Sequence, residues 1–308
     1  MDLLERGALA AMGTRFEIIV AGEPGSHARA SIEAALAEIE HCHKLWSPFS
    51  GDSMLARLHD PMREVVPIDG LTLELLSLCE RLERETGGAF SATVGSVLAS
   101  RDPRRECHEG AGVPEGRSAY EIHDQPPCVR ILHPDVRWDF GAIAKGFALD
   151  LAVEVLRESG VENAFLHGGS SSITVLGSAP GLTGWDVQLP HGEVVSLQDG
   201  QSLGVSSDAG SYEGDHLIDP FGGEWIESQS MGCWVLGKSG AEVDAWATAL
   251  LVSRLRSTTA TNPGNEGEDW GFFEHPRSEK PVHDETAEVQ VSSLVAESPR
   301  DCGFRKEI

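Results

Sequence analysis

Between Asn163 and Gln198 four short strand-like runs follow one another with only turns between them, and that constrains the fold more than anything else in the chain. "NAFLHGGSSSITVLGS" reads as two strands around a Gly-Ser bend. "GWDVQLP" and "GEVVSLQ" read as a hairpin joined through Pro190-His191. Helical spacing is gathered elsewhere. "ASIEAALAEIEHCHKLW" puts Ile32, Leu36 and Ile39 on one face. "LTLELLSLCERLERETGG" does the same with Leu75, Leu78, Cys79 and Leu82, and Gly87-Gly88 stops it. "AIAKGFALDLAVEVLRES" and "GAEVDAWATALLVSRL" are two more helices. Strands and helices thus come in clusters, which predicts an α+β fold and not a doubly wound sheet. "RFEIIVAG" and "GCWVLG" add strands, and "CVRILHPDVRWDFG" predicts two short ones around a His133-Pro134-Asp135 turn. His41 and His43 diverge on the last turn of their helix, which predicts capping by imidazole and no shared metal.

At 308 residues and 40% hydrophobic composition, the chain can bury one large core or two modest ones. A formal net charge of -25 argues against broad binding of nucleic acid or anionic membrane, yet leaves room for one local basic pocket. No stretch is apolar for long enough to span a bilayer, so no membrane insertion is expected. The six cysteines form no CxxC pair, as separate thiols in a reducing compartment would not. With no signal peptide or lipoprotein anchor legible at the N-terminus, the expected location is cytoplasmic. After Arg256 the sequence turns polar, so residues 1–256 are expected to form the main domain and 257–308 a polar extension.

Four segments can carry chemistry. In "WDFGAIAKGFALD" Lys145 falls in the first turn of a helix, where a cation opposes the helix dipole. Free N–H groups there bind anions, and glycine lets a ligand approach, so a phosphate would explain the lysine. A surface lysine on an ordinary helix fits the same residues. The order "KGF" is not that of a P-loop, and GxGxxG is absent here. In "EVDAWATALLV" Asp244 and Thr248 share one helix face and offer oxygen ligands for a hard cation such as Mg²⁺. Helix capping by Asp244 and back-bonding by Thr248 are the alternative. "GDHLIDPFGG" offers His216 as an acid, a base or a phosphate contact, or as a plain loop residue. "LHGGSSSITVLG" offers N–H and hydroxyl donors, or a flexible turn.

Taken in order, these segments resemble the ApbE-like family, the FAD:protein FMN transferases. "AMGTRFEIIV", "PFSGDSMLARLH", "TGGAFSATVGSVL", "DFGAIAKGFALD", "HLIDP" and "VDAWATALLV" each resemble a family motif, from Ala11 to Ser253. The resemblance implies an α+β fold with T-fold-related layers of antiparallel sheet and helices. It implies FAD as substrate, with Mg²⁺ on its pyrophosphate. The FMN moiety would pass to a threonine (or serine) of an acceptor protein and AMP would leave. By the same resemblance, Asp244, Thr248 and the carbonyl of Ala142 hold the metal. Lys145 sits beside the phosphates, and His216 aids catalysis. Met12, Gly168, Gly169 and Ser170 lie near the flavin or adenine. The general base stays open between His216 and a carboxylate.

The chain also departs from the family pattern. Ser91 stands where the family usually has Asp, Ala142 where it has a second glycine, and His59 where Asn is common. "GGSSSI" and "GVSSDAGSYEGDH" match only loosely. These departures fall on the flavin and acceptor side, while the metal and lysine motifs are intact. A non-catalytic FAD-binding protein, an FAD pyrophosphatase releasing FMN and AMP, and a partner-binding protein using the acidic tail are the other expectations.

Overall fold

Strands β1 (Leu4–Ala11) and β2 (Thr14–Ala21) open the chain as an antiparallel hairpin. The computed structural model describes residues 4–22, 25–99, 119–208, 217–256 and 269–274. Strand β2 is apolar on both faces. Phe16, Ile18 and Val20 enter one core, while Ile19 and Ala21 enter another. Side chains alternate along a strand, so such a sheet needs cover on both sides.

The chain then leaves the sheet for a long excursion. It forms α1 (Ser26–Leu45), α2 (Met54–Leu58), β3 (Val65–Pro67), α3 (Gly70–Glu85), α4 (Gly95–Ala99), β4 (Tyr120–Asp124), β5 (Pro127–Ile131) and α5 (Ala144–Glu158). Strand β6 (Ala164–Gly168) returns directly beside β2. Next come β7 (Ser172–Leu176), the hairpin β8 (Trp185–Gln188) and β9 (Val194–Leu197), and β10 (Ser202–Ser207). A second hairpin, β11 (Ile218–Asp219) and β12 (Glu224–Trp225), precedes β13 (Met231–Gly237), α6 (Gly240–Leu255) and β14 (Asp269–Glu274).

The main sheet has the order β1-β2-β6-β7-β10-β13-β14, and every neighbouring pair is antiparallel. Helices α1, α5 and α6 cover one face, with α1 against α5 and α5 against α6. The β8–β9 hairpin covers the other, where Trp185, Val187 and Leu197 pack on Phe165, Ile173 and Leu203. The fold is therefore α+β with antiparallel layers, as the clustering predicts. Strand β14 falls within 257–308 and pairs along β13 from Met231 to Leu236.

Local signals act as read. Asp69 caps α3 by accepting the Thr72 N–H at 2.8 Å, and Gly87 and Gly88 end it with positive φ. Two expectations change. The second strand of "CVRILHPDVRWDFG" is one parallel bridge from Arg137 to Val94, because a glycine-based backbone contact takes the place of a ladder: Gly95 lies flat against the Arg137 and Trp138 carbonyls. His43 Nδ1 accepts the Met12 N–H at 3.3 Å, so this imidazole faces the β1–β2 turn instead of serving only its own helix end.

The tightest helix contact is between α5 and α6. A Cβ on Gly146 would lie 2.0 Å from the Gly240 carbonyl oxygen, so the two backbones touch there. Gly204 of β10 does the same for α6 from below, with a Cβ position 2.4 Å from the Val243 oxygen. Gly146→Ala should therefore lower the unfolding free energy by about 3 kcal/mol. Gly70→Ala, whose Cβ would meet nothing within 4 Å, should not lower it. Urea unfolding of the two variants checks this.

Candidate functional site

The contact at Gly146 and Gly240 brings the N-terminal ends of α5 and α6 together. Helix α6 is capped by Ser239, whose hydroxyl accepts the Glu242 N–H at 3.3 Å. Glu242 also pairs with Arg81 of α3. Capping by Asp244 is thereby excluded, since Asp244 lies a turn further on and points inward.

Asp244 is 7% exposed within a helix buried on nearly every side. Its Oδ2 accepts the Gly146 N–H at 2.8 Å and the Ser172 hydroxyl at 2.7 Å. The first is an N–H that α5 cannot satisfy within its own first turn. Burial pushes the Asp244 carboxyl up to about 7, against the pull of the Lys145 charge, the Ser172 hydroxyl and the Gly146 N–H. The Asp150 charge adds to the rise. Both bonds use one oxygen, which leaves Oδ1 out of them.

Thr248 follows one turn later on the same face. Its hydroxyl donates to the Asp244 carbonyl at 3.2 Å, with Ser206 Oγ 3.5 Å away, so the expected back-bond is present. Ala142 lies in the turn that leads into α5, and Lys145 is the second residue of that helix. The Lys145 ammonium reaches back to the Gly141 carbonyl at 3.3 Å.

The Gly168-Gly169-Ser170 segment is the turn from β6 into β7, two residues before Ser172. Gly169 has φ 67°, and its Cβ position would lie 2.5 Å from Thr14 Oγ1. Its N–H donates to the Arg15 carbonyl at 2.9 Å. The β6–β7 turn therefore lies beside the β1–β2 turn that carries Met12. Met12 has φ 49°, a left-handed conformation uncommon for a side chain of this kind, and His43 holds its N–H. Asp244, Thr248 and Lys145 thus share one cluster, with the two turns at its flank. His216 lies outside the described residues.

Sequence reading missed Ser172. The signal was present: with Leu176 facing the helices, the strand period places Ser172 and Thr174 on the same face. Two residues that depart from the family pattern make local hydrogen bonds. The Ser91 hydroxyl accepts the Thr93 N–H at 3.3 Å, a turn bond that an Asp carboxylate also makes. The next residue, Ala92, accepts the Asp139 N–H at 2.8 Å. His59 Nε2 accepts the Trp138 N–H at 2.8 Å. His59 and the loop after Ser91 thus hold the extended segment that leads into "GAIAKG".

Among the described residues no group of three or more His, Cys, Asp or Glu is placed to hold a metal ion. A closed all-protein metal cage is not what this site offers. One buried carboxylate and one hydroxyl instead suit a hard cation that takes most of its ligands from phosphate, backbone and water. No described helix is long and apolar enough to cross a membrane.

The ApbE family model matches residues 12–263. The chain belongs to the ApbE family. It is 29% identical to an FAD:protein FMN transferase of Rhodobacter capsulatus over 78% of this chain, and spans 50% of that relative's length. It is 25% identical to the enzyme of the same name from Vibrio cholerae, covering 78% of this chain and 79% of that one. The crystal structure of the ApbE protein of Thermotoga maritima matches with a TM-score of 0.71 and 24% identity, over 82% of this chain and 88% of that one. The flavinyl transferase ApbE of Pseudomonas stutzeri matches with a TM-score of 0.68 and 22% identity, over 82% and 84%. These two establish the fold.

Asp150, partly buried, resembles Asp244 in one respect: burial pushes its carboxyl up to about 6. Both groups keep a proton in the folded protein at pH values where the unfolded chain has lost it. Folding then takes up protons between about pH 4 and pH 7, and stability falls as pH rises through that window. The slope is about 1.4 kcal/mol per pH unit for each carboxyl while it titrates. Without added FAD or metal, the urea midpoint should be lower at pH 8 than at pH 5.5. Asp244→Asn should remove most of that difference, and an unchanged profile in the variant would contradict the assignment.

Proposed function

We propose that this chain is an FAD:protein FMN transferase. It uses Mg²⁺ to move the FMN moiety of FAD to a threonine (or serine) of an acceptor protein, releasing AMP. The observation that carries the reading is the Asp244 carboxylate. It is buried, fixed through one oxygen to the α5 N-terminus and to β7, and set a turn before Thr248. Membership of a family whose relatives bear that enzyme name supports it.

Asp244, the Thr248 hydroxyl and the Ala142 carbonyl would hold Mg²⁺. When bound, the metal neutralises pyrophosphate charge and polarises the phosphorus. Lys145 supplies a fixed positive charge at a helix N-terminus, where phosphate oxygens are already favoured. The Gly168-Gly169-Ser170 turn and the Met12 turn border the same end of the sheet and would receive the flavin or adenine. The acceptor hydroxyl oxygen bonds to the FMN phosphorus as the pyrophosphate P–O bond to AMP breaks. The hydroxyl proton passes to a base, for which His216 is the candidate.

The test combines the purified protein with FAD, Mg²⁺ and a threonine-bearing acceptor. A fluorescent acceptor band and stoichiometric AMP are expected. EDTA should abolish both, and Asp244→Asn should lower the rate at least about 100-fold. FMN and AMP at the same rate without acceptor would establish a pyrophosphatase instead.

A further inference from the structure

Asp150 has no place in the reaction just described, yet it makes three short bonds to one helix end. It projects from α5 and meets the start of α6. One carboxylate oxygen accepts the Gly240 N–H at 2.6 Å. The other accepts the Ala241 N–H at 3.0 Å and the Ser239 hydroxyl at 2.9 Å. Two of these donors are the first N–H groups of α6, which no carbonyl within the helix can satisfy. The anion also faces the positive end of the helix dipole.

Trp246, Leu250 and Leu251 of α6 pack into the main core, whereas the crossing near its start is bare of side chains. At the crossing, Gly146 and Gly240 present no side chains, so no knob engages a hole there. Gly204 gives α6 an equally smooth floor under Val243. Any displacement of the start of α6 relative to α5 would carry Asp244 and Thr248 with it, because all three lie on one helix. Other polar ties of α6 to its neighbours include Arg81 to Glu242 near its start, Asp244 to Gly146 and Ser172, and Arg256 to Asp219 just past its end. Asp150 differs from these in bonding the backbone N–H groups of the helix start.

We infer that Asp150 is a positioning residue for the metal and pyrophosphate site: it fixes the axial position of α6 against α5, and so sets Asp244 and Thr248 against the turn that carries Ala142. The inference rests on the proposed function. It assigns this residue a role without contact to substrate or metal.

The experiment measures FAD binding by flavin fluorescence while Mg²⁺ is titrated, using wild type, Asp150→Asn, Ser239→Ala and a core control, Ile39→Val. In Asp150→Asn an amide replaces part of the acceptor set. Its Mg²⁺ midpoint should rise at least tenfold, with FAD affinity in EDTA unchanged, and saturating Mg²⁺ should restore most of the transfer rate. Ser239→Ala, which removes one of the three donors, should shift the midpoint in the same direction by less. Ile39→Val should leave it where it is. A Mg²⁺ midpoint equal to wild type in Asp150→Asn, with only its melting temperature lowered, would overturn the positioning role and leave the transferase reading standing. If Asp150→Asn does not fold, the Ser239→Ala midpoint decides, and no shift there overturns the role. A wild type whose FAD binding ignores Mg²⁺ would overturn both.

Discussion

The backbone contact between Gly146 and Gly240 is the constraint on which the rest of this site depends. Helices packed through ordinary side chains lie 8–10 Å apart. At that distance a carboxylate on one could not reach the first-turn N–H of the other as directly as Asp244 reaches Gly146. Glycine at both crossing points lets the two N-terminal ends come together. It also leaves the start of α6 without interdigitating side chains, and polar contacts are gathered there. Ser239, Asp150, Asp244 and Arg81 all act within the first two turns of α6.

The sheet beneath α6 follows the same logic. Its helix-facing positions on β7 and β10 include Ser172, Thr174, Ser202 and Gly204. Thr174 and Ser202 bond to each other at 3.0 Å, and Ser172 bonds Asp244. Elsewhere the same face carries Phe16, Ile18, Leu166 and Val235. A buried carboxylate costs several kcal/mol unless donors surround it. The polar patch is placed where one stands, and the apolar core closes around it.

Much of this was legible in the sequence. The strand clusters, the α3 stop at Gly87-Gly88 and the four long helices follow from period and punctuation, which are local. Lys145, Asp244 and Thr248 could be singled out because they sit oddly for their helices or share a face. The Ser172 bond could not be read, since it joins β7 to α6 across 72 positions and depends on which strands neighbour which. Ser91 and His59 looked like losses because a motif records residue types, whereas the structure uses their hydrogen-bond acceptors. The Gly146–Gly240 crossing left no pattern at all, because a glycine chosen for close approach looks like any other glycine.

The charge balance gives the site its direction. A chain of net charge -25 repels a pyrophosphate at long range, so binding must come from short-range terms. Screening confines the repulsion between exposed charges to about 8 Å at physiological salt. Two fixed positive features stand at the cluster: the α5 N-terminus and Lys145. Asp244 spends part of that field, because its Oδ2 occupies the Gly146 N–H and Lys145 stabilises its charge. On the proposed function this makes the site unfavourable to FAD alone and favourable to FAD with a divalent cation. On that reading the carboxylate that weakens the anion site would also hold the metal, and coupling of the two ligands would follow from a single buried group.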